Sequence, residues 1–334
     1  MGSGYLESSL DRIPEASRND VIEICVNPDG RVWGEFQGDH FMHPLETVLT
    51  ETQAKDLANQ VASATQTTMS KSKPVVSVSI EYRKRPIRAQ VMVSPVVGRG
   101  ASISLRFFTN VPLDKIELNF LYGEERSLEQ VRQERTRELR SIVASGDITA
   151  CLRFCVDHKL NMIVAGGTST GKTVAVRKIL SYVPPEERIV TIEEAAELLP
   201  AQPNAVTLIS NREVEHQTAD ALLTSTLRMR PDRIVLGEVR GQEAMTFLEA
   251  INTGHGGSMT TLHAETPQLA MQRLAIAALK TNVPMTYADM VRYIENSIDV
   301  VIQTGRLEGD RGITEFFLPG AEEKEGQSHD EVRA

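Results

Sequence analysis

The chain has 334 residues, of which 41% are hydrophobic and 24% charged, a balance that excludes a fibrous repeat or a wholly disordered polymer. It leaves room for two domains of ordinary size, each with its own core. The formal net charge of -9 repels nucleic acid and anionic lipid, which argues against a stable nucleic-acid partner.

From Met1 to Asp20 the chain is polar where a secretory signal would need an apolar stretch. Met1-Gly2 opens like a myristoylation signal, but Leu6 stands where that pattern requires Ser or Thr. No apolar run approaches the roughly 18 residues that span a bilayer. The expectation is a cytoplasmic protein that meets a membrane only peripherally.

Val21–Val26, the turn Pro28-Asp29-Gly30 and Arg31–Phe36 read as strand, turn, strand. A helix is predicted over Thr52–Thr65. Alternating segments at Val75–Tyr82, Ile87–Val93 and Ala101–Phe107 are predicted strands. These elements suggest a small α+β domain over residues 1–112. Residues 113–146 form a linker, with a helix beginning at Ser127, Gln130 in the capping-box position, and Arg132, Arg135, Arg137 and Arg140 along it.

From about Asp147 the pattern becomes α/β. Leu160–Ala165, Arg188–Ile192, Val206–Ile209 and Arg233–Leu236 are short, nearly continuous apolar runs, as buried parallel strands are. Residues 147–320 therefore make the second domain, and the acidic tail 321–334 has the composition of a disordered segment. The three cysteines form no even-numbered disulfide framework. Cys151, Cys155 and His158 share helical spacing, but three soft ligands without a fourth make a poor zinc site. A buried helix face with Leu152 and Val156 explains them better.

Chemistry concentrates in this second half. Gly166-Gly167-Thr168-Ser169-Thr170-Gly171-Lys172-Thr173 fits G-x-x-x-x-G-K-[ST], after a buried strand and before a helix opening at Val174. Glycines let backbone N–H groups turn onto phosphates at a helix N-terminus. Lys172 supplies charge to the β- and γ-phosphates of ATP, and Thr173 offers a hydroxyl to Mg2+. Arg233–Leu236 leads through Gly237 to Glu238, the layout of a strand ending in a catalytic carboxylate that completes the magnesium site and activates water. Thr191 to Glu197 puts Glu193, Glu194 and Glu197 after another strand, where a carboxylate can orient or deprotonate the attacking water. The chain is expected to turn near Ala195-Ala196, leaving Glu197 furthest out. His255 and His263 bracket a Gly-rich turn and a Thr-containing strand, an arrangement suited to sensing the γ-phosphate.

In this order, the phosphate loop, the acidic box (Thr191 to Glu197), the Glu238 strand and the histidine box resemble the secretion-ATPase superfamily. The segments Val21–Asn27 with Gly30–Trp33, Arg88–Val91 and Ser102–Arg106 resemble the traffic ATPases of type IV secretion and conjugation more than the pilus motors. The resemblance implies a RecA-like domain after a smaller α+β domain and a ring of six subunits. It also implies work alongside other secretion-machine ATPases and inner-membrane components. It assigns Arg106 to the nucleotide, Glu197 to catalysis, and Glu193 and Glu194 to the magnesium side. Glu194 departs from the aspartate usual in the family. A pilus or type II secretion motor, and an ATP-binding scaffold with little hydrolysis, stay open as alternatives.

Overall fold

The computed structural model describes residues 3–108 and 116–320. The domain boundary expected at Pro112 and the expected disordered tail 321–334 lie outside the described residues. Along the chain come α1 (Ser3–Leu10), β1 (Val21–Val26), β2 (Arg31–Phe36), β3 (His43–Val48), α2 (Glu51–Ser63), β4 (Val75–Tyr82), β5 (Arg85–Val93) and β6 (Ala101–Phe107). Then follow α3 (Leu128–Ser145), α4 (Ile148–Asp157), β7 (Met162–Gly166), α5 (Lys172–Leu180), β8 (Ile189–Glu193), β9 (Ala205–Ile209), α6 (Ala219–Thr226) and β10 (Arg233–Leu236). The last are α7 (Glu243–Asn252), β11 (Met259–His263), α8 (Pro267–Leu279), α9 (Tyr287–Ser297), β12 (Val300–Leu307) and β13 (Asp310–Phe317).

These elements form two compact units, one holding the chain up to Glu117 together with Pro184–Leu236, the other Leu118–Val183 and the chain from Gly237. The first unit therefore includes a stretch that the sequence reading gave to the ATPase domain. Its N-terminal part is an antiparallel sheet in the order β3-β2-β1-β6-β5-β4. Alternate residues of these strands, such as Ile24, Val26, Ile103 and Leu105, join a core with Leu6, Leu10, Leu57 and Val61 of α1 and α2. Thr50 and Gln53 cap α2 reciprocally, which starts the helix at Glu51. Gly30 has φ +88, and a Cβ there would meet Leu49 O at 2.0 Å, so the turn after β1 requires glycine.

The sheet's other face is polar yet buried, with Glu23, Asn27, Gln90, Ser102 and Ser104 all nearly inaccessible. Polar groups removed from water need partners: Gln90 accepts from Ser77 and Ser104 from Cys25 within the sheet, while Asn27 finds its partners in the 184–236 stretch. Arg188, fully buried, donates from Nη1 to Asn27 Oδ1 at 2.7 Å and to Asn204 Oδ1, and from Nε to Met229 O at 2.9 Å. Arg230 pairs with Glu35 at 2.6 Å, and Ile209 N–H donates to Val96 O at 2.8 Å. Arg233 and Glu187 form a buried ion pair at 2.6 Å. Within this stretch β10, β8 and β9 lie parallel in that order.

In the second unit β12 and β11 flank β7 in parallel, and β13 closes the edge antiparallel to β12. β7 is buried throughout, as its continuous apolar run required, while β12 is buried over its first five residues and β13 is largely exposed. α3 begins after Ser127, whose hydroxyl accepts from Gln130 N–H. Arg132 reaches Asp299 and Glu295 O, and Arg135 donates to His158 O, so these two arginines are anchored rather than merely solvated. Cys151 and Cys155 are buried in α4. Among the described residues no cluster of three or more His, Cys, Asp or Glu could hold a metal ion, and no helix is long and apolar enough to cross a membrane.

Candidate active site

The fully buried strand β7 ends at Gly166, and α5 begins at Lys172, so the loop between them emerges at the carboxyl edge of the parallel strands. Open α/β sheets bind ligands at that edge. A Cβ on Gly166 would lie 2.2 Å from Thr304 Oγ1 and 2.8 Å from Thr304 O, which leaves space for glycine alone. Gly171 caps α5 in the left-handed region at φ +94, and Ser169 is held there at φ +60, uncommon for a residue with a side chain. Thr170 Oγ1 donates to Gly167 O at 3.0 Å, closing the loop on itself.

Lys172 is 9% exposed. Its Nζ donates to Gly166 O at 3.0 Å, to Gly167 O at 2.8 Å and to His263 Nδ1 at 3.3 Å. The contact with His263 follows from register, because His263 at the end of β11 lies opposite Gly166 at the end of β7. His263 Nε2 lies 3.5 Å from Glu238 Oε1, and Glu238 Oε2 lies 2.5 Å from Arg240. Burial lowers the pKa of Lys172, with the Glu238 charge opposing that shift. Burial, and then the Lys172 charge, lowers that of His263. A neutral imidazole with Nδ1 accepting from Lys172 carries its proton on Nε2, aimed at Glu238. Val239 N–H donates to Thr261 O at 3.0 Å and Thr261 Oγ1 to Gly237 O at 2.6 Å, which ties the Glu238 loop to β11.

Lys172, Glu238 and His263 thus meet at one strand edge, while His255 does not join them. It precedes β11, at the strand's other end, where its Nδ1 bonds with Ala250 O at 3.2 Å. Thr173 is half-buried in the first turn of α5, and Val174 is 67% exposed. The Thr173 hydroxyl and Glu238 carboxylate are hard oxygen donors. A site with so few protein oxygens fits magnesium, which completes its shell with water and substrate phosphate.

In the first unit the acidic residues divide sharply. Glu193 is 6% exposed, and both its oxygens are engaged: Oε1 accepts from Thr191 Oγ1 at 2.8 Å, and Oε2 from the N–H groups of Glu197 and Leu198, each at 2.9 Å. Its carboxylate, expected on the magnesium side, braces the turn after β8. Glu194 pairs with Arg212 among exposed side chains. Glu197 is exposed beyond the turn. Arg106 is exposed on β6, paired in register with Glu23 of β1 and Arg88 of β5.

Two residues at the phosphate loop escaped the sequence reading. Glu265 Oε1 lies 3.8 Å from where a Cβ on Gly167 would sit, and the Arg311 stem lies at the same distance from that point on Gly171. Glu265 directly follows the histidine box and was within reach of motif reading. Arg311 arrives from a distant hairpin with no local signal.

Residues 12–307 match the family described as type II/IV secretion system protein. The probable conjugal transfer protein TrbB of Sinorhizobium fredii is 30% identical, over 90% of this chain and 83% of its own length. The type IV secretion system protein VirB11 of Brucella suis is 30% identical, over 84% of this chain and 80% of its own. The crystal structure of the VirB11 ATPase from the Brucella suis type IV secretion system, in complex with sulphate, superposes with a TM-score of 0.80 at 28% identity, covering 95% of both chains.

Proposed function

We propose a function from a plain premise: the chain belongs to the type II/IV secretion system protein family. It is a RecA-like ATPase of the type IV secretion and conjugation branch, similar to VirB11 and TrbB along most of its length. The observation that carries the reading is the complete phosphate loop, with Lys172 poised between the Gly166 and Gly167 carbonyls and the His263–Glu238 pair.

In this reading ATP draws Lys172 off its carbonyls and onto the β- and γ-phosphates. Backbone N–H groups at the start of α5 cradle the phosphate chain. Thr173 and Glu238 hold magnesium, which supplies charge neutralisation on the phosphates when bound. His263, released by Lys172, has Nδ1 free to meet a γ-phosphate hydroxyl or water. Glu197 accepts the proton of the attacking water, and Arg106 binds the nucleotide from the N-terminal sheet. Phosphoryl transfer asks for little beyond such positioning and electrostatic support.

The finer reading is a closed ring of six subunits at the cytoplasmic face of the inner membrane, beside other ATPases and membrane components of the secretion machine. Like subunits joined by one repeated heterologous contact close naturally into rings. Steady-state phosphate release tests the chemistry. Wild type should turn over only with magnesium, and Lys172→Ala should lose at least about a hundredfold in kcat/KM. Turnover by Lys172→Ala within about threefold of wild type would refute the phosphate-loop assignment. Light scattering with and without nucleotide tests the ring, and a persistent monomer would count against it.

A further inference from the structure

The hairpin of β12 and β13 is more than a sheet edge, because its inner side is built against the phosphate loop. Thr304 Oγ1 donates to Ala165 O at 2.9 Å and lies 2.8 Å from Thr170 Oγ1. Two residues on, Arg306 follows Thr304 on the same face of the strand. Register places Arg311 directly across from Arg306. The Arg311 stem passes Gly171 closely, with Cβ 3.8 Å and Cδ 4.0 Å from where a Cβ on that glycine would sit.

Two like charges directly opposite on neighbouring strands destabilise a hairpin. Both arginines are exposed, and neither has an ion pair among the described residues. A cation pair held in no ion pair, its stem beside the last glycine before Lys172, is what an anion in the loop would relieve. The start of α5 is the side of a phosphate loop that cradles the α- and β-phosphates.

We propose that Arg311, with Arg306 beside it, is a further nucleotide-contacting residue that grips the α- and β-phosphates of ADP or ATP from the C-terminal hairpin. This rests on the phosphate loop being a nucleotide cradle. A guanidinium suits the task, since its planar fork meets two phosphate oxygens at once. The contact precedes the γ-phosphate, so it serves ADP and ATP equally and acts on binding more than on turnover.

The test titrates the full chain, without magnesium, with fluorescent analogues of ADP and ATP, and follows thermal unfolding of the same samples. Arg311→Ala should weaken both nucleotides by the same factor, roughly tenfold or more as for a charge-assisted hydrogen bond. Arg306→Ala should weaken them less, and Arg311→Lys should recover part of the loss. Without nucleotide, Arg311→Ala should melt no lower than wild type, because the like-charge pair is gone. With ADP its stabilisation should shrink. Affinity within about twofold of wild type, a loss confined to ATP, or a lower melting point in the absence of nucleotide would each overturn the assignment. Lys172→Ala separates the two readings. If it binds like wild type, the cradle itself is wrong, whereas if it fails while Arg311→Ala and Arg306→Ala bind normally, only the arginine assignment falls.

Discussion

The phosphate loop and the acidic box hold their charges in opposite ways. Lys172 is almost buried and divided among two backbone carbonyls and His263, which in turn faces Glu238. Glu197 stands exposed, and its order comes second-hand, from a turn pinned by the buried Glu193 carboxylate. A group that binds phosphate gains from being desolvated and aimed before the ligand arrives. An exposed carboxylate such as Glu197 can reach water, as the proposed proton acceptor must, and the buried hydrogen bonds go to Glu193 instead. Two glutamates of one acidic box thus sit in opposite surroundings, one buried and one exposed.

The most severe way to break that contrast is Glu197→Gln. It keeps shape and removes the proposed base, so on that reading turnover should fall on the order of a hundredfold with nucleotide affinity nearly unchanged. Glu193→Gln serves as the companion, because an amide offers one acceptor oxygen where the carboxylate offers two. It should lower the melting temperature as well as turnover. Near-normal turnover in Glu197→Gln, with loss of hydrolysis and an unchanged melting point in Glu193→Gln, would reverse the two roles.

A smaller effect lies on the polar face of the N-terminal sheet. Burial raises the Glu23 carboxyl to about 7, opposed first by the Arg106 charge and then by Arg188 and Arg230, while Glu35 reinforces it. The folded state then holds this proton more tightly than the unfolded chain. Its contribution to stability is complete below about pH 4.5 and is lost progressively as pH rises through 7. Glu23→Gln should flatten that decline and stabilise the protein at pH 8 by up to the order of 3 kcal/mol. Denaturant melts from pH 5 to pH 8 measure it, and parallel curves for the two proteins would contradict the buried-acid assignment.

The smallest effect belongs to Glu194. Its partner Arg212 is exposed, as it is itself, so Glu194→Gln should change stability by less than about 1 kcal/mol. Turnover should stay within a few-fold of wild type. A loss as deep as that of Glu197→Gln would bring Glu194 back to the magnesium side.

Much of this was legible along the chain because the signals are local. Strands β1, β2, β4, β6 and β10 run over the predicted residues, and α2 begins one residue before its prediction and ends two before. β7 begins two residues late and β8 one, the usual looseness of strand ends. Alternation and turn chemistry operate over a few residues, so sequence carries them. α1, β3 and the β12–β13 hairpin went unseen, since α1 is short and polar and His43–Val48 carries a proline and charges on an edge.

The phosphate loop, the Glu238 strand and the histidine strand were likewise set by sequence, because phosphate binding demands glycine, lysine and hydroxyl at constant spacing. Tertiary structure alone decided how equivalent residues divided. Register brought His263 rather than His255 to Lys172. A buried hydrogen-bond set withdrew Glu193 and left Glu197 in solvent. Arg188 was drawn onto Asn27 and Asn204, so that residues 184–236 pack with the N-terminal sheet. Arg311 reached Gly171 from a distant hairpin. Each of these depends on which groups lose water together, and that is a property of positions far apart in the chain.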